Sequence, residues 1–83
     1  MRVVLYSRPG CHLCDAARAA LEAERARTWF ELQEVNIQDD DALELAYGVR
    51  IPVVEIDGDE RFEYEVEASE LTRVLREADS STG

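Results

Sequence analysis

A chain of 83 residues holds one small domain with a thin core, because a domain of that size buries only about 60% of the surface it exposes when unfolded. The composition, 46% hydrophobic and 34% charged, is that of a soluble globule, and no apolar run approaches the ~20 residues that span a bilayer. A formal net charge of −10 argues against binding nucleic acid or anionic membrane through bulk electrostatics, and suits solubility or a basic protein partner.

The N-terminal MRVVLYS enters a strand pattern at once. It lacks the long apolar stretch and small-residue cleavage site of a signal peptide, so the expectation is a cytoplasmic protein. Val3-Val4-Leu5-Tyr6 is an apolar, β-branched run that predicts a strand buried on both faces. Pro9-Gly10 breaks it. From His12 the pattern turns helical: Leu13, Ala16, Ala17, Ala20 and Leu21 form one apolar face, with Asp15, Arg18, Glu22 and Arg25 on the polar side. Phe30 to Ile37 reads as a second strand. Its alternation is imperfect, since Phe30 and Leu32 share one phase while Val35 and Ile37 share the other; a bulge or a shorter strand explains that. Asp39-Asp40-Asp41 supplies N-cap candidates for a short helix from about Asp40 to Tyr47, with Gly48 as its C′ stop. Val53, Val54 and Ile56 form a third strand, and Asp57-Gly58 a tight hairpin turn. On the return strand Phe62, Tyr64 and Val66 point inward while Glu63, Glu65 and Glu67 face water, which also shields an edge strand from pairing with another molecule. A last helix starts near Ser69 as N-cap, with Leu71, Val74, Leu75 and Ala78 as its apolar stripe. Residues 80–83 read as a disordered tail after a domain of residues 1–79.

The order is β-α-β-α-β-β-α. It predicts an α/β fold with a four-stranded mixed sheet and three helices on its two faces. Strands joined by helices should be parallel with right-handed crossovers, so the first three strands are expected parallel and the hairpin adds one antiparallel strand.

Cys11 and Cys14 are the only cysteines. In a cytosolic chain a close pair points to catalysis or metal rather than to a structural bridge. A disulfide exchanger needs an attacking thiolate and a second thiol to resolve the mixed disulfide. Here a strand ends near Tyr6, a loop carries Arg8-Pro9-Gly10, and a helix begins near Cys11. Free backbone N–H groups and the positive end of the helix dipole would favour a Cys11 thiolate. Cys14, one turn inside, is the natural resolving thiol. Other readings stay open at this point. The pair could be two unreactive helix residues. With only His12 added, one chain does not complete a closed four-ligand zinc site, but a zinc ion or cluster shared by two chains through Cys11 is an alternative. His12 is either an imidazolium favouring the Cys11 thiolate or a solvent-facing residue. Arg8 either holds an anionic substrate group near the thiolate or is an ordinary surface arginine. Ile51-Pro52 opens a strand, where a proline is tolerated; a cis bond there could turn the Ile51 backbone groups toward an extended substrate.

The segments VVLYSRPGCHLC and YGVRIPVVEIDG, taken together, resemble the thioredoxin superfamily, and within it the small glutaredoxin-like domains. The likeness runs from Val3 to about Ala78. It implies a thioredoxin/glutaredoxin fold and a thiol–disulfide oxidoreductase, with Cys11 as nucleophile and Cys14 as resolving thiol. It also implies that Pro52 is cis and faces the cysteines, and that Ile51 binds substrate backbone. The pair His12-Leu13 differs from the Pro-Tyr usual between glutaredoxin cysteines, while Arg8 keeps the charge of the lysine usual at its position. The Gly-Gly and acidic motif that grips glutathione is replaced by Val66-Glu67-Ala68-Ser69-Glu70, where Glu67 would repel a carboxylate. The expectation is a cytoplasmic monomer with no tightly bound cofactor. Its substrate would be a protein or small-molecule disulfide, and its electron donor a reductase or glutathione.

Overall fold

The computed structural model describes residues 1–81, with side chains through residue 78. The elements are β1 (Arg2–Ser7), α1 (His12–Arg25), β2 (Glu31–Asn36), a 3-10 turn (Ile37–Asp39), α2 (Asp41–Tyr47), β3 (Val53–Ile56), β4 (Asp59–Glu63) and α3 (Ala68–Ser81). They form the α/β arrangement read from the sequence, three helices on a four-stranded mixed sheet of order β2-β1-β3-β4. The tail expected at 80–83 is partly helix, since α3 runs to Ser81; residues 82 and 83 lie outside the described residues.

The core lies on one face of this sheet. Val3 and Leu5 of β1 and Val54 and Ile56 of β3 pack with Ala17 and Leu21 of α1, Phe30, and Leu71, Val74 and Leu75 of α3. Each fully buried aliphatic side chain contributes about 1.5–3 kcal/mol, so this face carries most of the stability. The opposite face has only α2, which buries no side chain of its own. Its Tyr47 ring stacks on Tyr6 with centroids 4.3 Å apart. β1 is therefore not buried on both faces as its composition suggested. Val3 and Leu5 are 0% exposed, whereas Val4 and Tyr6 are half-buried, because a seven-residue helix is too short to cover the second face.

The expected strand directions are corrected as well. β1 and β2 are parallel, but β3 runs antiparallel to β1, and β4 antiparallel to β3. Residues 37–52 do not carry the chain back along the sheet: Asn36 pairs with Ser7 and Val53 with Tyr6, so β3 starts at the end where β2 finished and runs the other way. The imperfect alternation of the second strand has no bulge behind it. The β1–β2 register is unbroken from Arg2↔Glu31 to Ser7↔Asn36, and the strand is simply shorter than 30–37. Phe30 enters the main core just before it, and Ile37 is buried in the 3-10 turn just after it.

Other local signals resolve in more detail. Asp40 caps α2, its Oδ1 accepting the N–H groups of Ala42 (2.8 Å) and Leu43 (3.3 Å). Gly48 is not a left-handed stop: its φ is −53°. A side chain is excluded there because a Cβ would stand 2.5 Å from the Glu44 carbonyl oxygen. Asp57 and Gly58 have φ of 51° and 90°, the pair of positive values that a type I′ hairpin requires. The return strand departs from expectation. Its register slips at Val54/Glu55, the strand ends at Glu63, and Tyr64 is 59% exposed instead of pointing inward. The Tyr64 N–H donates to the carbonyls of both Arg50 and Pro52 at 2.8 Å, which draws the chain off the ladder. α3 likewise begins two residues earlier than a Ser69 cap implies, and Glu67 caps it. The Glu67 carboxylate accepts the N–H groups of Ser69 and Glu70, each at 3.2 Å, and the Ser69 hydroxyl above all, with these N–H groups, holds its carboxyl below the usual range.

Candidate active site

β1 delivers the chain to a loop in which Gly10 takes φ +78°, a left-handed value that suits a residue without a Cβ. The turn sets Cys11 as the N-cap of α1, in extended conformation. The position is usually held by Ser, Thr, Asp or Asn, whose oxygen accepts a free N–H. Here the Cys11 Sγ does so, accepting the Cys14 N–H at 3.1 Å, while the Cys11 carbonyl accepts the Asp15 N–H at 3.1 Å. The sulfur thus faces the positive end of a 14-residue helix, where negative charge is favoured.

The two thiols, both free, differ in surroundings. Cys11 is partly exposed, and Cys14 is 0% exposed. Burial, followed by its hydrogen bond to the Cys11 sulfur, pushes the Cys14 thiol up to about 11; an Arg8 backbone N–H bond offsets part of this. At neutral pH Cys14 is therefore a protonated thiol behind its neighbour.

The remaining sequence-derived residues fall around this junction. Arg8 pairs with Glu44 of α2 (Nη2–Oε2 2.7 Å), both groups about one-third exposed, so its guanidinium ties the cysteine loop to α2. His12 is the first residue of α1 and is exposed, as is Leu13 after it. Pro52 is buried, Ile51 is half-buried, and the peptide bond between them is cis. Tyr6 pairs with Val53, so Pro52, one residue earlier, comes level with Ser7 at the sheet end that bears the cysteine loop. Arg8, Cys11, His12 and Cys14 thus share one loop–helix junction, and Ile51-Pro52 opens the strand beside it. Among the described residues, no three His, Cys, Asp or Glu side chains converge so as to hold a metal ion.

Three features lay beyond sequence reading. Ser7, buried at the end of β1, donates its hydroxyl to Glu34 Oε2 at 2.6 Å. Arg18 of α1 grips the same carboxylate with two nitrogens and Asp15 with a third. The Arg18 guanidinium, helped by the Ser7 hydroxyl, holds the Glu34 carboxyl below its usual range against the opposing effect of burial. This network fastens the first turns of α1 to β2. On the other face the Tyr6 hydroxyl donates to Glu55 at 2.9 Å; burial, and then that carboxylate, raise the Tyr6 pKa. The third feature is Tyr64, tethered to Pro52. The only sequence signal for any of them is the i,i+3 spacing of Asp15 and Arg18.

The chain matches the Glutaredoxin-like domain (DUF836) family over residues 2–76. Two solved structures of similar sequence accompany that match. Protein XcR50 from X. campestris is 41% identical, with 90% of this chain and 96% of that one covered and a TM-score of 0.76. Protein Ne2328 from Nitrosomonas europaea is 31% identical, with 88% of each chain covered and a TM-score of 0.74. Thioredoxin 1 from Thermosipho africanus TCF52B, at 15% identity, covers both chains completely with a TM-score of 0.71, a likeness of fold alone. No curated protein matches the chain.

Proposed function

Since this chain belongs to the Glutaredoxin-like domain family, we propose that it is a thiol–disulfide oxidoreductase working through a Cys11–Cys14 dithiol/disulfide couple. One observation carries the reading: the Cys11 sulfur caps α1 and accepts the Cys14 N–H, with the Cys14 thiol buried directly behind it. A sulfur held at a helix N-terminus is suited to attack, and a thiol one turn inside is suited to resolve.

In the first step the Cys11 thiolate attacks one sulfur of a substrate disulfide. A Cys11–substrate disulfide forms and one substrate thiolate leaves. In the second step Cys14 gives up its proton and attacks the Cys11 sulfur, releasing the second substrate thiol and closing Cys11–Cys14. Two electrons pass from the dithiol to the substrate. A reductase dithiol, or two molecules of a thiol such as glutathione, must return them. Ile51 and Pro52 form the wall against which an extended substrate docks, with His12 and Arg8 at its margins. Both roles suit a monomer in the reducing cytoplasm, where a close thiol pair stays available. Among the described residues no helix is long and apolar enough to cross a membrane.

The test is redox cycling of the purified protein. A mild disulfide should close Cys11–Cys14, seen as loss of two hydrogens in the intact mass and protection from alkylation. Dithiothreitol should reopen it. A protein that never closes this bond, and reduces neither protein nor small disulfides, overturns the reading.

A further inference from the structure

Tyr64 occupies a position that ordinary packing does not explain. Its φ is +70°, a left-handed value that costs a bulky residue energy and that glycine adopts freely. The ring nonetheless stays 59% exposed, so the chain gains little burial from having tyrosine there. What fixes the residue is its N–H, shared between the carbonyls of Arg50 and Pro52 at 2.8 Å each. These two carbonyls flank Ile51, the residue whose backbone is proposed to meet substrate. The Tyr64 backbone is therefore tethered to the segment that carries Ile51 and Pro52, and its exposed ring projects from there.

Carboxylates outnumber cations around it. Arg50 is engaged by two carboxylates, Glu60 at 2.7 Å and Glu63 at 2.8 Å, which leaves one negative charge over. Arg8 and Arg18, also at this end of the sheet, are paired with Glu44 at 2.7 Å and with Asp15 and Glu34, respectively. Glu65, next to Tyr64, is exposed, and its side chain enters no ion pair or hydrogen bond among the described residues. The chain as a whole carries −10. An exposed aromatic face beside unneutralised carboxylates attracts a guanidinium or ammonium group and raises the encounter rate of cationic partners over anionic ones.

We propose that Tyr64 and Glu65 select the substrate, favouring polypeptide disulfides flanked by arginine or lysine over neutral or anionic ones. This rests on the exchange chemistry of Cys11 and Cys14 proposed above. Tyr64 is a specificity residue; the electrons still pass only between the cysteines and the substrate.

Three disulfide-bridged peptides of equal length test it, with arginine, serine or glutamate flanking the bridge. Each is mixed in excess with the fully reduced protein, and closure of Cys11–Cys14 is followed by acid quench, alkylation and intact mass, so no outside reductant is needed. At low salt the arginine peptide should react about ten-fold faster than the glutamate peptide. In 1 M salt, where the screening length falls to about 3 Å, the ratio should drop to about two-fold or less. Tyr64→Gly should leave the thermal midpoint unchanged or higher, because glycine fits this φ, yet cut the low-salt ratio about three-fold; Tyr64→Phe, which keeps the ring, should restore it. Glu65→Gln should lower the ratio by a similar factor. Equal rates for the three peptides at low salt overturn the selection but leave the exchange chemistry standing. So does a ratio that survives both Tyr64→Gly and Glu65→Gln. If no peptide closes the bond, both readings fall together.

Discussion

The two faces of the sheet do different work. Under α1 and α3 lies a continuous apolar core that fixes the axis of α1, and with it the position of Cys11 at the helix start. Over the other face, where Val53 is buried, α2 contributes no buried residue of its own and leaves Leu45 90% exposed; Val49, just after the helix, is 93% exposed. It is held by the Tyr6–Tyr47 stack and the Arg8–Glu44 ion pair, contacts that reach directly into the cysteine loop. The packed face fixes the start of α1, where the two sulfurs sit, and the thin face stays largely open to solvent.

That contrast predicts a steep gradient of mutational effects. The largest belongs to Cys11→Ser, which should abolish disulfide exchange while leaving the fold intact, as checked by peptide oxidation and circular dichroism. Next is Leu21→Ala on the packed face, which should cost about 2–5 kcal/mol in denaturant unfolding, because a fully buried leucine leaves a cavity. The matching change on the thin face, Leu45→Ala, should stay within about 0.5 kcal/mol. Equal costs for the two would break the comparison.

Cys14 gives a pH signature of the packed face. Its folded-state pKa is raised, from about 9 to about 11, so its contribution to stability is complete below pH 9 and is lost as pH rises toward about 11. In that window the unfolded chain releases a proton that the folded one retains, a loss of up to about 3 kcal/mol. Denaturant titrations across this range should show the decline in wild type and a shallower one in Cys14→Ala. A small effect on stability is also expected for Glu44→Gln. Breaking a pair that is one-third exposed should cost under about 1 kcal/mol, yet alter exchange rates more than stability because Arg8 is released beside Cys11.

Much of this arrangement is written in short-range pattern. The helical period from Leu13 to Leu21, the Asp57-Gly58 turn and the cysteine spacing each depend on neighbours a few residues apart, and all three appear in the structure. The direction of β3 is different. Nothing local tells whether a connecting segment returns the chain; that is set by where the segment of residues 37–52 packs on the sheet. Tyr64 also escaped, because alternation with Phe62 and Val66 assigns it inward, whereas hydrogen bonds to Arg50 and Pro52 pull its backbone off the sheet. The Ser7–Glu34–Arg18 network joins residues 16 and 27 positions apart, beyond any sequence period. Of the candidate site, the cysteines and Ile51-Pro52 were legible, while the partner of Arg8 and the aromatic beside the wall required the fold.

The division of labour between the two sulfurs is tested most directly by intact-mass analysis of Cys14→Ser and Cys11→Ser proteins after exposure to a disulfide peptide. Cys14→Ser should accumulate one stable peptide adduct, mapped to Cys11, and Cys11→Ser should remain unmodified because its remaining thiol is buried and protonated. An adduct at Cys14 in Cys11→Ser, or none in Cys14→Ser, would contradict an exposed nucleophile backed by a buried resolving thiol.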